Sequence, residues 1–335
     1  MVAHPPTIRF LATTLLISLS VGLAACSESG DQDVRGTTLE APEGMVYIPG
    51  GTYTIGSDAV DKDGLQTRYG FTKPLYVNEH PRHEAKTVPF FMDRTEVVNR
   101  DYKRFIEATG YPDPEPWVQN GYNVHSGKLR GAHVDNLRWI ASDYFKLDID
   151  TTQMDKPALL DVLFAAQAMR DALPVAAVSW FDAESYCRWV DKRLPTETEW
   201  EAAARGPQGH IYPWGDDWRP GAANGGDDSE GDEPLRPPGS SEDDQTPLGI
   251  LDMAGNVSEW IADTYQAYPA APAGEADADF TQGHRVIKGG GAGLGHYALS
   301  VFFRASRRGH AKPEAVSTDV GFRCASDITG EAPKR

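Results

Sequence analysis

Beyond residue 26 the chain carries only two cysteines, Cys187 and Cys324, which stand 137 residues apart (324 minus 187). What they can do depends on the compartment, and the N-terminus speaks to that. A weakly basic start (His4, Arg9) leads into an apolar run from Phe10 to Ala25, ending in Leu23-Ala24-Ala25-Cys26. This pattern reads as an export leader. In an oxidising compartment two lone cysteines most economically form one disulfide. Joined, they would close a loop worth about 5 kcal/mol as an upper figure in the chain-entropy account. Any fold of this chain would then have to bring residue 187 against residue 324. A free reactive thiol at either position is the alternative, although neither cysteine has an adjacent Lys or His to lower its pKa.

The leader resembles a bacterial lipoprotein signal over residues 1–25, in which Cys26 is lipidated and becomes the mature N-terminus. An ordinary cleaved signal is the alternative. A membrane-spanning anchor fits less well, because the apolar run is short and holds Ser18, Ser20 and Gly22. Ser27, with no Asp after Cys26, points by resemblance to sorting rules toward the outer membrane, facing periplasm or surface. Residues 26–42, rich in Ser, Gly, Asp and Glu, read as a flexible tether, and 328–335 as a disordered tail. The 32 basic and 49 acidic residues give a net charge of -17, which repels nucleic acid. Arg304, Arg307 and Arg308 are the nearest basic cluster, and they belong to a motif with a better explanation.

Residues 43–327 read as a mixed α+β domain. MVYIPGGTYTIGS (Met45 to Ser57) alternates apolar residues on both sides of Pro49-Gly50-Gly51, a hairpin signal. His83 to Gly110 begins as a strand and ends as a helix, with Asn99 as its cap, Tyr102, Phe105 and Ile106 as its buried stripe, and Gly110 as its stop. Tyr111 to Ala172 is less patterned and reads as a variable surface excursion. Val178 to Arg193 repeats Ala183, Tyr186, Cys187 and Val190 at helical spacing, which turns Cys187 inward. Thr196 and Glu199 then stand at capping-box spacing before a helix that stops at Gly206. Trp180, Trp189, Trp200 and Trp214 read as core residues.

Seven blocks follow in order: MVYIPGGTYTIGS, DRTEVVNRDYKRFIEATGY, PVAAVSWFDAESYCRWVDKRLPTETEWEAAARG, YPWG, GILDMAGNVSEW, RVIKGGG and DVGFRCA. Together they resemble the formylglycine-generating enzyme, or sulfatase-modifying factor, family over nearly the whole mature chain. The resemblance implies a C-type-lectin-like fold with little regular secondary structure, and it pairs Cys187 with Cys324. It also implies a copper-dependent oxidation of a substrate cysteine by oxygen, carried by two cysteines shortly after a Gly-Gly-Ser. Here those positions fall near Leu294 and Leu299, the serine is Gly291, and a motif tryptophan is Ser258. Leucine cannot ligate Cu(I), which prefers sulfur. Formylglycine formation by that route is not expected, no catalytic residue is assigned, and neither copper nor iron is expected.

Two binding features remain. Matched to the family's structural calcium site, Asp252 and Glu259 would give carboxylate oxygens, and Gly255 and Val257 carbonyls, all hard ligands suited to calcium. Asp252 as a turn cap and Glu259 in an internal ion pair are the plain alternative. A second site would use Asn224 and the Gly225 carbonyl with an acidic partner such as Asp232. His284, His296 and His310 cluster in the sequence, yet their spacing gives no support for a metal site. The substituted pocket itself, with Gly291, His296, Tyr297, Arg304 and Trp260, suits a peptide or small polar ligand. The reading is therefore a lipid-anchored envelope protein that binds a peptide, glycan or protein partner. An oxidase with altered chemistry, like the family's pyoverdine-maturation members, is the alternative, and active formylglycine generation a distant third.

Overall fold

The computed structural model describes residues 40–225, 234–271, 278–292 and 300–328. The leader, Cys26, most of the tether, and the tail beyond residue 328 lie outside the described residues. Strands β1 (Met45–Ile48) and β2 (Gly51–Ile55) form where the alternation places them. They do not pair with each other. After a short helix α1 (Leu65–Tyr69), strands β3 (His83–Thr87) and β4 (Phe90–Asp93) return antiparallel, β3 on β2 and β4 on β1. The register runs from Ile48↔Phe90 to Gly51↔Thr87 without a slip, so this is one ribbon interrupted at Pro49 and Pro89. Proline has no N–H to give to a ladder, so the expected hairpin turn is instead a break in a longer pairing.

Helix α2 (Asn99–Thr109) buries Tyr102 and Phe105 and stops at Gly110, whose φ of 71° is left-handed. Its cap is Val98, and Asn99 is its first helical residue, with Nδ2 donating to the Arg170 carbonyl at 2.8 Å. The stretch expected to be irregular is helical: α3 (Glu115–Gln119), α4 (Ser126–Gly131), α5 (Val134–Trp139) and α6 (Lys156–Asp171). It has an apolar cluster of its own around Leu129, Leu137, Phe145, Leu159 and Leu163. Asp155 caps α6 by accepting the Ala158 N–H at 3.0 Å, and Pro157 lies in the first turn, where its missing N–H costs nothing.

Helices α7 (Trp180–Trp189) and α8 (Glu197–Arg205) both open on complete capping boxes, Ser179 with Asp182 and Thr196 with Glu199. Cys187 on α7 is fully buried and bonded to Cys324, with 5.7 Å between the Cα atoms. Strands β5 (Ser258–Thr264), β6 (Arg285–Lys288), β7 (Gly309–Ala311) and β8 (Val320–Gly321) form a sheet in the order β7-β6-β5-β8, with β5 and β8 parallel. Strand β9 (Ala325–Asp327) pairs with β4, completing a second sheet in the order β1-β4-β9. The disulfide therefore fastens α7 to the segment that joins these two sheets. Trp180 and Trp200 lie in the core as expected, but Trp189 is 40% exposed.

Candidate functional site

The KGGG segment is packed tight. Lys288 is fully buried and donates to Glu201 Oε2 at 3.0 Å, while Glu201 Oε1 accepts from Arg205 and from the Gly56 N–H, each at 2.8 Å. A Cβ on Gly290 would lie 2.7 Å from the Ala254 carbonyl oxygen, and one on Gly291 would lie 3.0 Å from that of Asp319. These glycines admit neighbouring backbone at close approach, a structural use of a missing side chain. The expectation of a pocket built on Gly291 is therefore corrected, because Gly291 is buried against Asp319 and Ser258. Two further members move with it. Trp260 is 1% exposed and its indole N–H is held by the Val178 carbonyl at 2.9 Å, whereas Arg304 is buried in an ion pair with Glu79. His296 and Tyr297, with Leu294 and Leu299, lie outside the described residues.

The residues matched to calcium form a buried polar knot. Glu259 Oε1 and Oε2 accept from Arg323 at 2.7–2.9 Å, and Oε2 also accepts the Trp200 indole N–H at 2.8 Å. Arg323 spends its remaining donors on the carbonyls of Asp93, Arg94, Leu251 and Asp252. Asp252, at a left-handed φ of 55°, accepts the Gly239 N–H, so both carboxylates already hold internal partners. Asp244 accepts the N–H groups of Ala254 and Gly255 at 3.0 and 2.9 Å. Asn256 joins the two proposed sites, donating to Glu96 Oε1 and accepting from Asn224 Nδ2, each at 3.0 Å.

Burial pushes the Asp244 carboxyl up to about 8 and that of Asp252 up to about 6, and holds Glu96 well above the ordinary carboxylate range. The charge of Asp252 adds to the rise at both Asp244 and Glu96. Two buried oxygens, Glu96 Oε2 and Asn224 Oδ1, have no hydrogen-bond partner among the described residues. Glu259 is taken up by Arg323 and Trp200, as the plain alternative expected, and the orphaned oxygens of Glu96 and Asn224, beside Asp244 and Asp252, are the hard donors left for a divalent cation such as calcium. Sequence reasoning missed Glu96 and Asp244, which lie outside the GNVSEW motif but fold against it.

Tyr111, Pro112, Glu115, Asp182, Val316 and Thr318 contribute to a cleft of about 420 Å³ that sequence reasoning also missed. The Tyr111 hydroxyl donates to Asp182 Oδ1 at 2.8 Å, fixing one wall. Ala177, held at a left-handed φ of 56° by an N–H bond to the Ser317 carbonyl, forms part of another. Such strain in a non-glycine residue gathers at ligand sites. Through Thr318 and its neighbour Asp319 the cleft adjoins Gly291, and through Val178 it adjoins Trp260. The proline-spaced segment Tyr111-Pro-Asp-Pro-Glu-Pro116 was the available signal, since it reads as a stiff loop rather than a variable one. Of the three clustered histidines, the structure brings His284 and His310 together, with 2.9 Å between their Nδ1 atoms.

Helices and short sheets locked by one disulfide and by buried ion pairs, with a cleft near a glycine-packed segment, make up a single α+β domain. Residues 31–328 match the model of the sulfatase-modifying factor enzyme 1-like domain, and the chain belongs to that family. Inactive C-alpha-formylglycine-generating enzyme 2 of Bos taurus is 31% identical over 296 residues, covering 84% of this chain and 87% of the relative. The formylglycine-generating enzyme of Thermomonospora curvata is 32% identical over 328 residues, covering 89% and 99%. The solved structure of PvdO from Pseudomonas aeruginosa shares the fold, with a TM-score of 0.54 at 22% identity over 85% of this chain and 94% of that one.

Proposed function

We propose that this protein is an exported, lipid-anchored member of the family that does not make formylglycine and serves the envelope as a binding or maturation-accessory protein. One observation carries the reading. The two cysteines beyond Cys26 are consumed in the buried Cys187–Cys324 disulfide, which leaves no thiol for copper in the domain. Relatives of similar identity include one named inactive and one named formylglycine-generating enzyme, so the cysteine inventory weighs more than any one name. The cleft beside Gly291 supplies the binding surface. Its tyrosines, prolines and carboxylates suit a peptide or glycan that brings apolar area and N–H or O–H donors. Purified domain supplied with copper and a cysteine peptide is expected to consume no oxygen and yield no aldehyde. Oxygen uptake in step with thiol loss would overturn the reading. Lipidation predicts that Cys26→Ser releases the protein from membranes, and a variant that stays membrane-bound would count against the anchor.

Calcium completes the proposal as a structural cation at Asp252, Glu259 and the Gly255 and Val257 carbonyls, with Glu96 and Asn224 beside them. A cation there would offset the carboxyls that burial leaves hard to ionise. Because it binds only the folded state, calcium is expected to raise the melting temperature by mass action. Equal melting in calcium and in chelator, with no bound calcium, would remove it.

A further inference from the structure

We propose that His284, His310 and Asp279 form a site for a single zinc-class divalent ion, separate from the calcium-type knot and from the cleft. The three come from different segments. His284 immediately precedes β6, His310 lies in β7, and Asp279 lies in a short 3₁₀ turn from Ala278 to Thr281. Pairing of Val286 with His310 sets the two imidazoles on adjacent strands, and the His284 carbonyl accepts the Tyr265 N–H at 2.7 Å. One ring nitrogen from each histidine and one Asp279 oxygen all lie within 4.8 Å of one another. The sequence gives no hint of this, because the juxtaposition depends on strand pairing across 26 residues.

The hydrogen bonding of His284 differs from that of other histidines in the chain. His80 and His83 each bond a backbone carbonyl, and His125 and His133 each accept a backbone N–H as helix caps. His284 does neither with its ring. Its Nδ1 faces only the Nδ1 of His310, and its Nε2 is buried without a partner among the described residues, although the residue is only 9% exposed. Two facing Nδ1 atoms at 2.9 Å cannot both carry hydrogen, so the gap holds one proton or one cation. With bonds of about 2.0–2.1 Å, a tetrahedral ion would set the nitrogens about 3.3 Å apart, a small spreading of the present pair. Tyr265 stacks on His310 at 4.1 Å and 18°, holding that ring in place.

The cluster already attracts a cation. The Lys73 ammonium lies 2.5 Å from Asp279 Oδ2 and 3.3 Å from His310 Nε2, on a side chain that is 53% exposed, and Asp279 Oδ2 itself lies 3.7 Å from His310 Nε2. Departure of Lys73 would open Asp279 to the ion, with a coordination position left toward solvent. Imidazole nitrogen with one carboxylate suits zinc, cobalt(II) or nickel(II) and disfavours calcium or magnesium. Arg308, over the Tyr265 ring at 4.9 Å, is another positive group near the cluster, and its charge is engaged by Glu197.

The test uses the full mature domain, stripped of tag and metal, titrated with cobalt(II) and then with zinc against a chromophoric chelator. One equivalent of cobalt should give the visible bands of a low-coordinate nitrogen/oxygen site, and zinc should abolish them. His310→Gln and His284→Gln should each weaken zinc binding by about 100-fold or more. Lys73→Ala should tighten it by about tenfold, a gain that misfolding cannot produce. If neither wild type nor Lys73→Ala retains zinc, the proposal is wrong. It is equally wrong if the double glutamine variant binds as wild type does.

Discussion

At the scale of single residues, Asp263 shows how a half-buried carboxylate is tolerated and when it is a burden. Its Oδ2 accepts the Glu197 N–H at 2.8 Å at the start of α8. Burial raises its pKa, as do the carboxylates of Glu197 and Glu199, against that hydrogen bond and Arg308. A group whose folded pKa is raised stabilises the fold while protonated, and that contribution is lost as pH climbs through the folded value. Asp263→Asn keeps an oxygen for the Glu197 N–H and drops the charge. Its stability relative to wild type should therefore improve as pH rises from 4 to 8. Chemical denaturation at the two pH values checks this, and a constant difference would show that the charge carries no part of it. Arg323 shows the limit of sequence reasoning at this scale. An arginine inside the apolar VGFRCA block reads as an internal ion-pair member, but only the fold reveals that its partner is Glu259, the residue that the resemblance assigns to calcium.

Among the elements, α7 and α8 were legible because their information is local: a capping residue, its partner three positions on, and an apolar stripe lie within one short window. The ribbon was not legible as a ribbon. β1 and β2 are adjacent in sequence, yet β1 finds its partners 42 to 48 residues away and β2 finds its own 28 to 36 away, and alternation names a strand without naming its neighbour. Helix α6 failed for a different reason. Its start signal, Asp155 followed by Pro157, is present, but Leu160, Val162, Phe164 and Ala165 place apolar residues around much of the helix and blur the stripe. The local cluster under α4, α5 and α6 explains that composition, since those side chains pack beneath short helices rather than on the main sheets. At the site, glycines that read as an open pocket proved to be packing devices, and the cleft lay in prolines that read as surface variation.

For the whole molecule, the Cys187–Cys324 link was legible from counting, because on the expectation of an oxidising compartment two lone cysteines have one economical pairing. It closes 137 residues, and the chain-entropy account gives it about 5 kcal/mol at most. The Cys187→Ser, Cys324→Ser pair of substitutions should lower stability by a few kcal/mol, read as a lower denaturation midpoint with a somewhat steeper slope, because the freed unfolded chain exposes more surface. An unmoved midpoint would mean that the ion-pair skeleton holds α7 in place without the bond. The sheet β1-β4-β9 carries a different consequence. Strands from the first and last parts of the domain flank the same central strand, about 10 Å apart at ordinary strand spacing. Met45 sits beside Asp93 and Asp327 beside Phe90, three positions apart along β4, so a linker of several residues crossing the sheet would close the domain into a ring. Its order of segments can be rotated, with the ends joined there and the chain reopened at exposed Lys62-Asp63, and every strand pairing survives.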